Sequence, residues 1–445
     1  MFLYVLICLQ VLSDNVSQAE WDRMLYYSRK VKFFEFIDID NPQIHPSTYF
    51  RIAQLLQSSP LFPSLRRLHY NLKLGDISHI FLFQSPLLDS LELTNIEGFE
   101  KTIVGPFLTT STLSSQMLSN IVLRSASGRI SGDIFKKTIV HFKQLRSLDL
   151  SVTVFMSDFV LWESIGILPS LVNLTLKATD PESHPGPTNA TEDSNSQRES
   201  PKYFVTLESL RVTGSFFFIQ HLLGFIDSLC LTTIKIYPVV NRHDHEPDNN
   251  FTPSMTIVSS KWSQCLKNLF IDSSSSFTTR STRRYAITNS LMLLTALHEM
   301  EEFHLTWRME NMDEDVGRLV MSWPKLRTLK LHLDQTFISL STLRIIAEKC
   351  PELRYLHVAI QLEGLSSIPP FDTRQSLRHK LDILTVGTVD IYWRLSLKCQ
   401  ILTARYLNFL FPYLKSIELQ PHNETWSQIY DLVKLCQEVR QLEVQ

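Results

Sequence analysis

The chain has 445 residues, and its 43 Lys and Arg nearly balance 45 Asp and Glu. A formal net charge of −2 gives no global field toward nucleic acid or a membrane surface. Hydrophobic residues at 44% and aromatic ones at 11% are enough for a large core and exclude wholesale disorder, and only 12 Gly speak against Gly-rich phosphate cradles.

From the N-terminus, Phe2 to Leu12 is almost wholly apolar. It is shorter than the roughly 20 residues a membrane-spanning helix needs. No Lys or Arg precedes it, so the charged start of a secretory signal is missing. Residues 1–30 are therefore expected to be an apolar, helical lead-in, with a secreted binding protein as the alternative if Met1 to Leu12 is a true signal. Five N-x-[ST] matches, at Asn15, Asn173, Asn189, Asn250 and Asn423, read as chance in a chain rich in Ser and Thr. Six cysteines (Cys8, Cys230, Cys265, Cys350, Cys399, Cys436) lie far apart with no C-x-x-C. That is neither a zinc pattern nor a disulfide framework, so free thiols in a reducing compartment, cytoplasm or nucleus, are expected.

From residue 31 one phrase returns: apolar, two variable residues, apolar, one variable, apolar. Copies preceded by Pro begin Pro63-Ser-Leu65, Pro86-Leu-Leu88, Pro169-Ser-Leu171, Pro324-Lys-Leu326, Pro351-Glu-Leu353 and Pro412-Tyr-Leu414. Others begin at Val31, Leu118, Leu145, Leu207, Leu231, Leu266, Met300, Leu381 and Val439. The mean spacing of about 29 residues is that of a leucine-rich repeat. In each phrase the last two apolar residues alternate with polar ones, which predicts a short strand with one buried face. Helical periodicity fills the intervals: Val316, Leu319, Val320 and Trp323; Leu343, Ile346, Ala347 and Cys350; Ile429, Leu432, Val433 and Cys436. Asp313 and Thr425 are candidate N-caps.

Such a unit cannot bury its apolar face alone, so residues 31–445 are expected to stack as an α/β leucine-rich-repeat solenoid. A curved parallel sheet would lie on the concave side and helices on the convex side. The asparagine ladder of regular repeats is missing: the corresponding position holds Thr153, Thr179, Ser215, Ser274 or Asp334, and Ile39 or Ile96. Curvature should be irregular. Polar insertions are expected near 177–202, 242–253 and 273–284.

No G-x-x-x-x-G-K-[ST], H-E-x-x-H, G-x-S-x-G or strand-linked G-x-G-x-x-G occurs, so no enzyme, cofactor or metal is expected. His243-Asp-His245-Glu246 reads as a solvated loop, since alternating side chains in a flexible loop rarely close a metal site. Arg280, Arg283 and Arg284 beside Ser and Thr read the same way.

The residue between the last two apolar positions of each phrase should line one column of the sheet, with steps of about 4.8 Å. In order it reads Glu35, His69, Glu92, Val122, Asp149, Thr175, Arg211, Lys235, Phe270, His304, Lys330, His357, Thr385, Glu418 and Glu443. The run from Arg211 to His357 is basic and aromatic, and neighbouring columns add Tyr237, Thr306 beside Trp307, and Tyr355. Arg211, Lys235, Phe270, His304, Lys330, His357 and Tyr355 are thus candidate partner-binding residues for an acidic or phosphorylated protein target. They would equally serve as solvated outward positions of a polar sheet face.

Three passages carry a resemblance. They are Trp21-Asp-Arg-Met-Leu-Tyr-Tyr-Ser-Arg-Lys-Val31, Asp313 to Leu331 with Trp323-Pro-Lys-Leu326, and Leu340 to Leu356 with Cys350-Pro-Glu-Leu353. They resemble the leucine-rich-repeat region of F-box proteins of mushroom-forming fungi. The resemblance implies the target-recognition part of an SCF ubiquitin ligase receptor, with the SCF adaptor a second protein partner only if a missing upstream F-box exists; the chain itself is expected to be a monomer. The F-box opening, L-P-x-E-[IL], does not occur before Trp21. The expectation is either a truncated gene model or an interaction scaffold without the ligase role.

Overall fold

The computed structural model describes residues 17–36, 46–72, 78–129, 137–154, 159–178, 202–239, 248–273, 288–307, 313–333, 337–362, 377–387, 395–419 and 424–444. The chain divides into two compact units, Met1–Glu208 with Ile226–Ser228, and Ser209–Phe225 with Leu229–Gln445.

The first unit carries β1 (Phe33–Phe36), β2 (Arg67–Asn71), β3 (Ser90–Thr94), β4 (Asn120–Arg129), β5 (Ser147–Val154) and β6 (Asn173–Ala178). Each pairs in parallel with the next in chain order. The second unit carries β7 (Ser209–Gly214), β8 (Thr233–Pro238), β9 (Asn268–Asp272), β10 (Glu302–Trp307), β11 (Thr328–Leu333), β12 (Tyr355–Val358), β13 (Ile383–Val386) and β14 (Ser416–Leu419). These too are parallel and in chain order. Helices connect most successive strands, as the alternation of periods 2 and 3.6 predicts. The chain is an α/β leucine-rich-repeat solenoid.

Two backbone devices recur along the strands. The first is a tight turn at the phrase's opening residue: the amide of Leu326 bonds the carbonyl of Trp323 at 3.1 Å, that of Leu353 the carbonyl of Cys350 at 3.1 Å, and that of Leu414 the carbonyl of Phe411 at 3.2 Å. In each, Pro (Pro324, Pro351, Pro412) takes the second turn position, where its fixed φ is already right. The second device is a clamp in which two consecutive amides donate to one carbonyl of the preceding repeat. Arg66 and Arg67 share the carbonyl of Lys32, and Asp89 and Ser90 that of Arg66. Glu301 and Glu302 share that of Lys267, Arg327 and Thr328 that of Glu301, and Arg354 and Tyr355 that of Arg327.

Beyond the clamp, alternate side chains enter the core. Leu329 and Leu331 are buried and Lys330 between them is not; Phe303 and Leu305 flank His304 in the same way. On the helix Asp313–Met321, Val316, Leu319 and Val320 are buried, and Trp323 just beyond is fully so. The Trp323 indole N–H donates to the Leu294 carbonyl at 3.2 Å and its ring packs on Phe303 with centroids 4.9 Å apart.

Several expectations are corrected. The phrase at Val439 forms no strand: Glu424–Val444 is one helix of 21 residues, and Glu443 joins no column. The segment holds no Gly or Pro to stop it, and apolar residues three apart suit a helix as well as a strand. Thr425 therefore lies inside the first turn of that helix and not before it. The polar stretch at 242–253 is in part helical, since Asp248–Lys261 is a helix despite Pro253 within it. Phe251, Met255, Val258 and Trp262 bury one face and outweigh the polar composition. Asp313 opens its helix as the first residue, and its carboxylate accepts from the Ser339 amide at 2.7 Å in the next repeat. Ser339 in turn caps the helix Leu340–Lys349, accepting from Thr342 N–H at 3.2 Å. Ser273, expected to open a polar loop, is buried and donates to the Thr306 carbonyl at 2.9 Å. At the ladder position, Ile96 is buried in the core, and Ser215 accepts from the Phe218 amide at 3.2 Å. Residues 1–16, 179–201 and 274–287 lie outside the described residues, and with them the apolar start, Cys8 and most of two expected insertions.

Replacing Trp323 by Ala removes a side chain that neighbouring repeats share. It should cost about 3–5 kcal/mol in urea unfolding followed by circular dichroism. Exposed Leu113→Ala should change stability by less than about 0.5 kcal/mol.

Candidate functional site

The strand register brings the central column of the second unit together without a slip. Arg211 pairs with Lys235, Lys235 with Phe270, Phe270 with His304, His304 with Lys330, Lys330 with His357, His357 with Thr385, and Thr385 with Glu418. All sit on the face away from the buried Leu and Ile positions. Tyr355 lies two residues before His357 on the same face, and Tyr237 two residues after Lys235.

Each cation of the column rests on a ring of the next strand. The Arg211 guanidinium is 4.7 Å from the Tyr237 centroid, Lys235 Nζ 4.8 Å from Phe270, and Lys330 Nζ 4.7 Å from Tyr355. Tyr355 is itself fixed: Thr385 Oγ1 donates to Glu418 Oε2 at 3.1 Å, so the Tyr355 hydroxyl donates to Thr385 Oγ1 at 2.9 Å. Among the described residues no carboxylate lies within ion-pair distance of Arg211, Lys235 or Lys330. Cations at the strand entrances differ. Lys267 meets Glu301 at 2.9 Å, Arg327 meets Glu301 and Glu352 at 3.2 Å each, and Lys415 meets Asp382 at 2.9 Å.

Imidazoles fill the middle. His304 stands edge-on to Phe270 with centroids 4.3 Å apart, and His332 meets His357 at 3.8 Å. Burial first, and then the neighbouring Lys330, other imidazoles and Lys235, push His304 down to about 4. His357 also falls to about 4, from burial, His332 and Lys330 in that order. Burial and Lys330 lower His332 as well, against a weaker opposite pull from Asp272. The run expected to be basic from Arg211 to His357 is thus basic at three residues only. His304 and His357 are uncharged at neutral pH, and His357 is 3% exposed. Trp307 belongs to the core, packed on Phe216 and Phe251.

Sequence reading missed His332 and Asp272, one register step beyond the central column. The alternation that placed Lys330 and Phe270 places them on the same face. In the first unit's column, cationic groups do meet carboxylates. His69 Nδ1 lies 2.8 Å from Glu35, and Arg124 lies 3.0 Å from Glu92 and 3.8 Å from Asp149.

Elsewhere, a cavity of about 270 Å³ in the first unit is lined by groups such as Ala53, Leu56, Pro60, Phe81 and Leu82, with no titratable side chain. No cluster of three or more His, Cys, Asp or Glu among the described residues could hold a metal. His243, His245, Arg280, Arg283 and Arg284 lie outside them. Burial pushes the Cys350 thiol up to about 12, which removes it as a nucleophile. No helix of the described residues is long and apolar enough to cross a membrane.

No family model matches the chain, and no curated protein matches it in sequence. Among solved structures, the yeast Rad7–Elc1 complex contains a chain 13% identical, with a TM-score of 0.41, covering 84% of this chain and 83% of that one. The leucine-rich-repeat-containing protein LegL7 of Legionella pneumophila is 11% identical, with a TM-score of 0.30, covering 88% and 96%.

Because His304 and His357 hold protons less tightly folded than unfolded, the unfolded chain binds more protons between pH 6.5 and about 4. Their contribution to stability is complete above pH 6.5 and is lost as pH falls through that window. The double variant His304→Phe/His357→Phe should flatten this part of the pH–stability curve, measured by thermal melts at fixed ionic strength. An unchanged slope would show that other groups set it.

Proposed function

We propose that the chain is a protein-binding leucine-rich-repeat module whose β7–β12 face holds an acidic or phosphorylated segment of a target protein. It performs no chemistry of its own. One observation carries this reading: Arg211, Lys235 and Lys330 line one column over aromatic rings with no described carboxylate to neutralise them, while Lys267, Arg327 and Lys415 at strand entrances of the same unit are paired. A partner's carboxylate or phosphate supplies the missing charge, through hydrogen bonds stronger than neutral ones. The rings and half-buried imidazoles beside the cations give the apolar contact that charge alone lacks.

The target-holding role is that of the recognition part of an F-box-type SCF ubiquitin ligase receptor. This rests on the resemblance of three passages. Trp21 to Ser28 lies in the capped helix Gln18–Ser28 that precedes β1, and Trp323-Pro324 and Cys350-Pro351 form the tight turns into β11 and β12. In such a receptor the adaptor docks on the F-box and the repeats present the target.

Charge reversal at Arg211, Lys235 and Lys330 together should abolish capture of the target from host extract and leave the fold intact by circular dichroism, because all three side chains lie off the core. Unchanged capture would remove this face from the reading. Recovery of the SCF adaptor by an upstream-extended gene product, and not by this chain, would carry the ligase assignment.

A further inference from the structure

We propose that the segment held on this face is an extended chain crossing β7 to β12, with negatively charged side chains at positions i and i+4 and an apolar side chain at i+2. The inference rests on the reading above and adds the partner's spacing. Lys235 on β8 and Lys330 on β11 occupy the same register level, three strands apart. Strands lie about 4.8 Å apart, so the two columns of charge are about 14 Å apart. An extended chain advances about 3.3 Å per residue and turns every second side chain to the same side. Four residues span about 13 Å and return to the facing side. Two residues reach only about 7 Å, and six overshoot to about 20 Å.

The ground between the two lysines fits the middle position. It holds Phe270 and His304, packed edge to face and both uncharged at neutral pH. The i+2 side chain falls about 7 Å from Lys235, over this pair. Asp272 and Glu302 flank it, two residues after Phe270 and two before His304 on the same face. They repel an acid placed there and leave an apolar group as the fitting one. At the other end Arg211 stands one strand before Lys235, so position i meets two cations where i+4 meets one. A doubly charged phosphate therefore gains more at i than at i+4, helped by the bidentate fork of Arg211.

The test is fluorescence anisotropy on the full chain with fluorescein-labelled peptides of the form Glu-Ala-Leu-Ala-Glu in a Gly-Ser frame. Companion peptides separate the two acids by two or six residues, place Glu at the middle position, or place phosphoserine at either end. The four-residue spacing should bind about tenfold tighter than the other two, and phosphoserine should tighten binding more at one end than at the other. Lys330→Glu and the milder Lys330→Gln should erase the spacing preference, and a peptide with Lys at i+4 should recover binding to Lys330→Glu. Equal affinity at all spacings, a preference that survives Lys330→Gln, or no binding by any of these peptides overturns the inference. Charge-dependent binding without spacing preference overturns it too, yet leaves the broader reading standing. Loss of charge dependence altogether removes both.

Discussion

Two amides sharing one carbonyl of the preceding repeat are the contact on which the rest depends. The clamp recurs from Arg66 to Asn173 in the first unit and from Lys267 to Ser416 in the second. Each bond contributes roughly 1 kcal/mol net, but its larger effect is geometric. Where it occurs it fixes where a strand begins against its neighbour, and period-2 alternation then fixes which residues enter the core. A slip of one residue would bury Lys330 and expose Leu329 and Leu331. The regular asparagine ladder is absent here, and the backbone itself holds the register.

The same register decides the electrostatics of the two units. In the first, the column is mostly acidic, and His69 and the neighbouring Arg124 meet its carboxylates across strands. In the second, like charges and imidazoles follow one another, so cations turn to rings and the imidazoles lose their protons. Lys330 alone rests on Tyr355 and lowers the proton affinity of three histidines. The cost of this crowding falls on the free protein, and the proposed acidic partner would relieve it.

Fourteen strands were legible because the same alternation recurs at each phrase, in six of them behind a Pro that stops the preceding helix. The Val439 phrase follows a helical pattern with no Gly or Pro between, and its Leu and Val spacing fits either period. Asp248–Lys261 hid behind a polar sequence because its apolar residues, Phe251, Met255, Val258 and Trp262, are thinly spread. Column members could be named from sequence, since each repeat contributes one residue at a fixed offset. Their charge state could not be. His304 looks basic by composition, and its neutrality comes from burial and from Lys330 and Lys235, each 26 or more residues away in the chain. The support of Tyr355 by Thr385 and Glu418 spans two further repeats and leaves no local signal.

The clamp has one more consequence. Since it sits at the strand entrance, the connecting segments can differ in length by many residues without moving the column positions of the clamped strands. Lys267 and Glu301, then Glu301 and Arg327, join repeats of unequal length through the same two bonds. The sheet face therefore keeps a reading frame that insertions elsewhere do not shift.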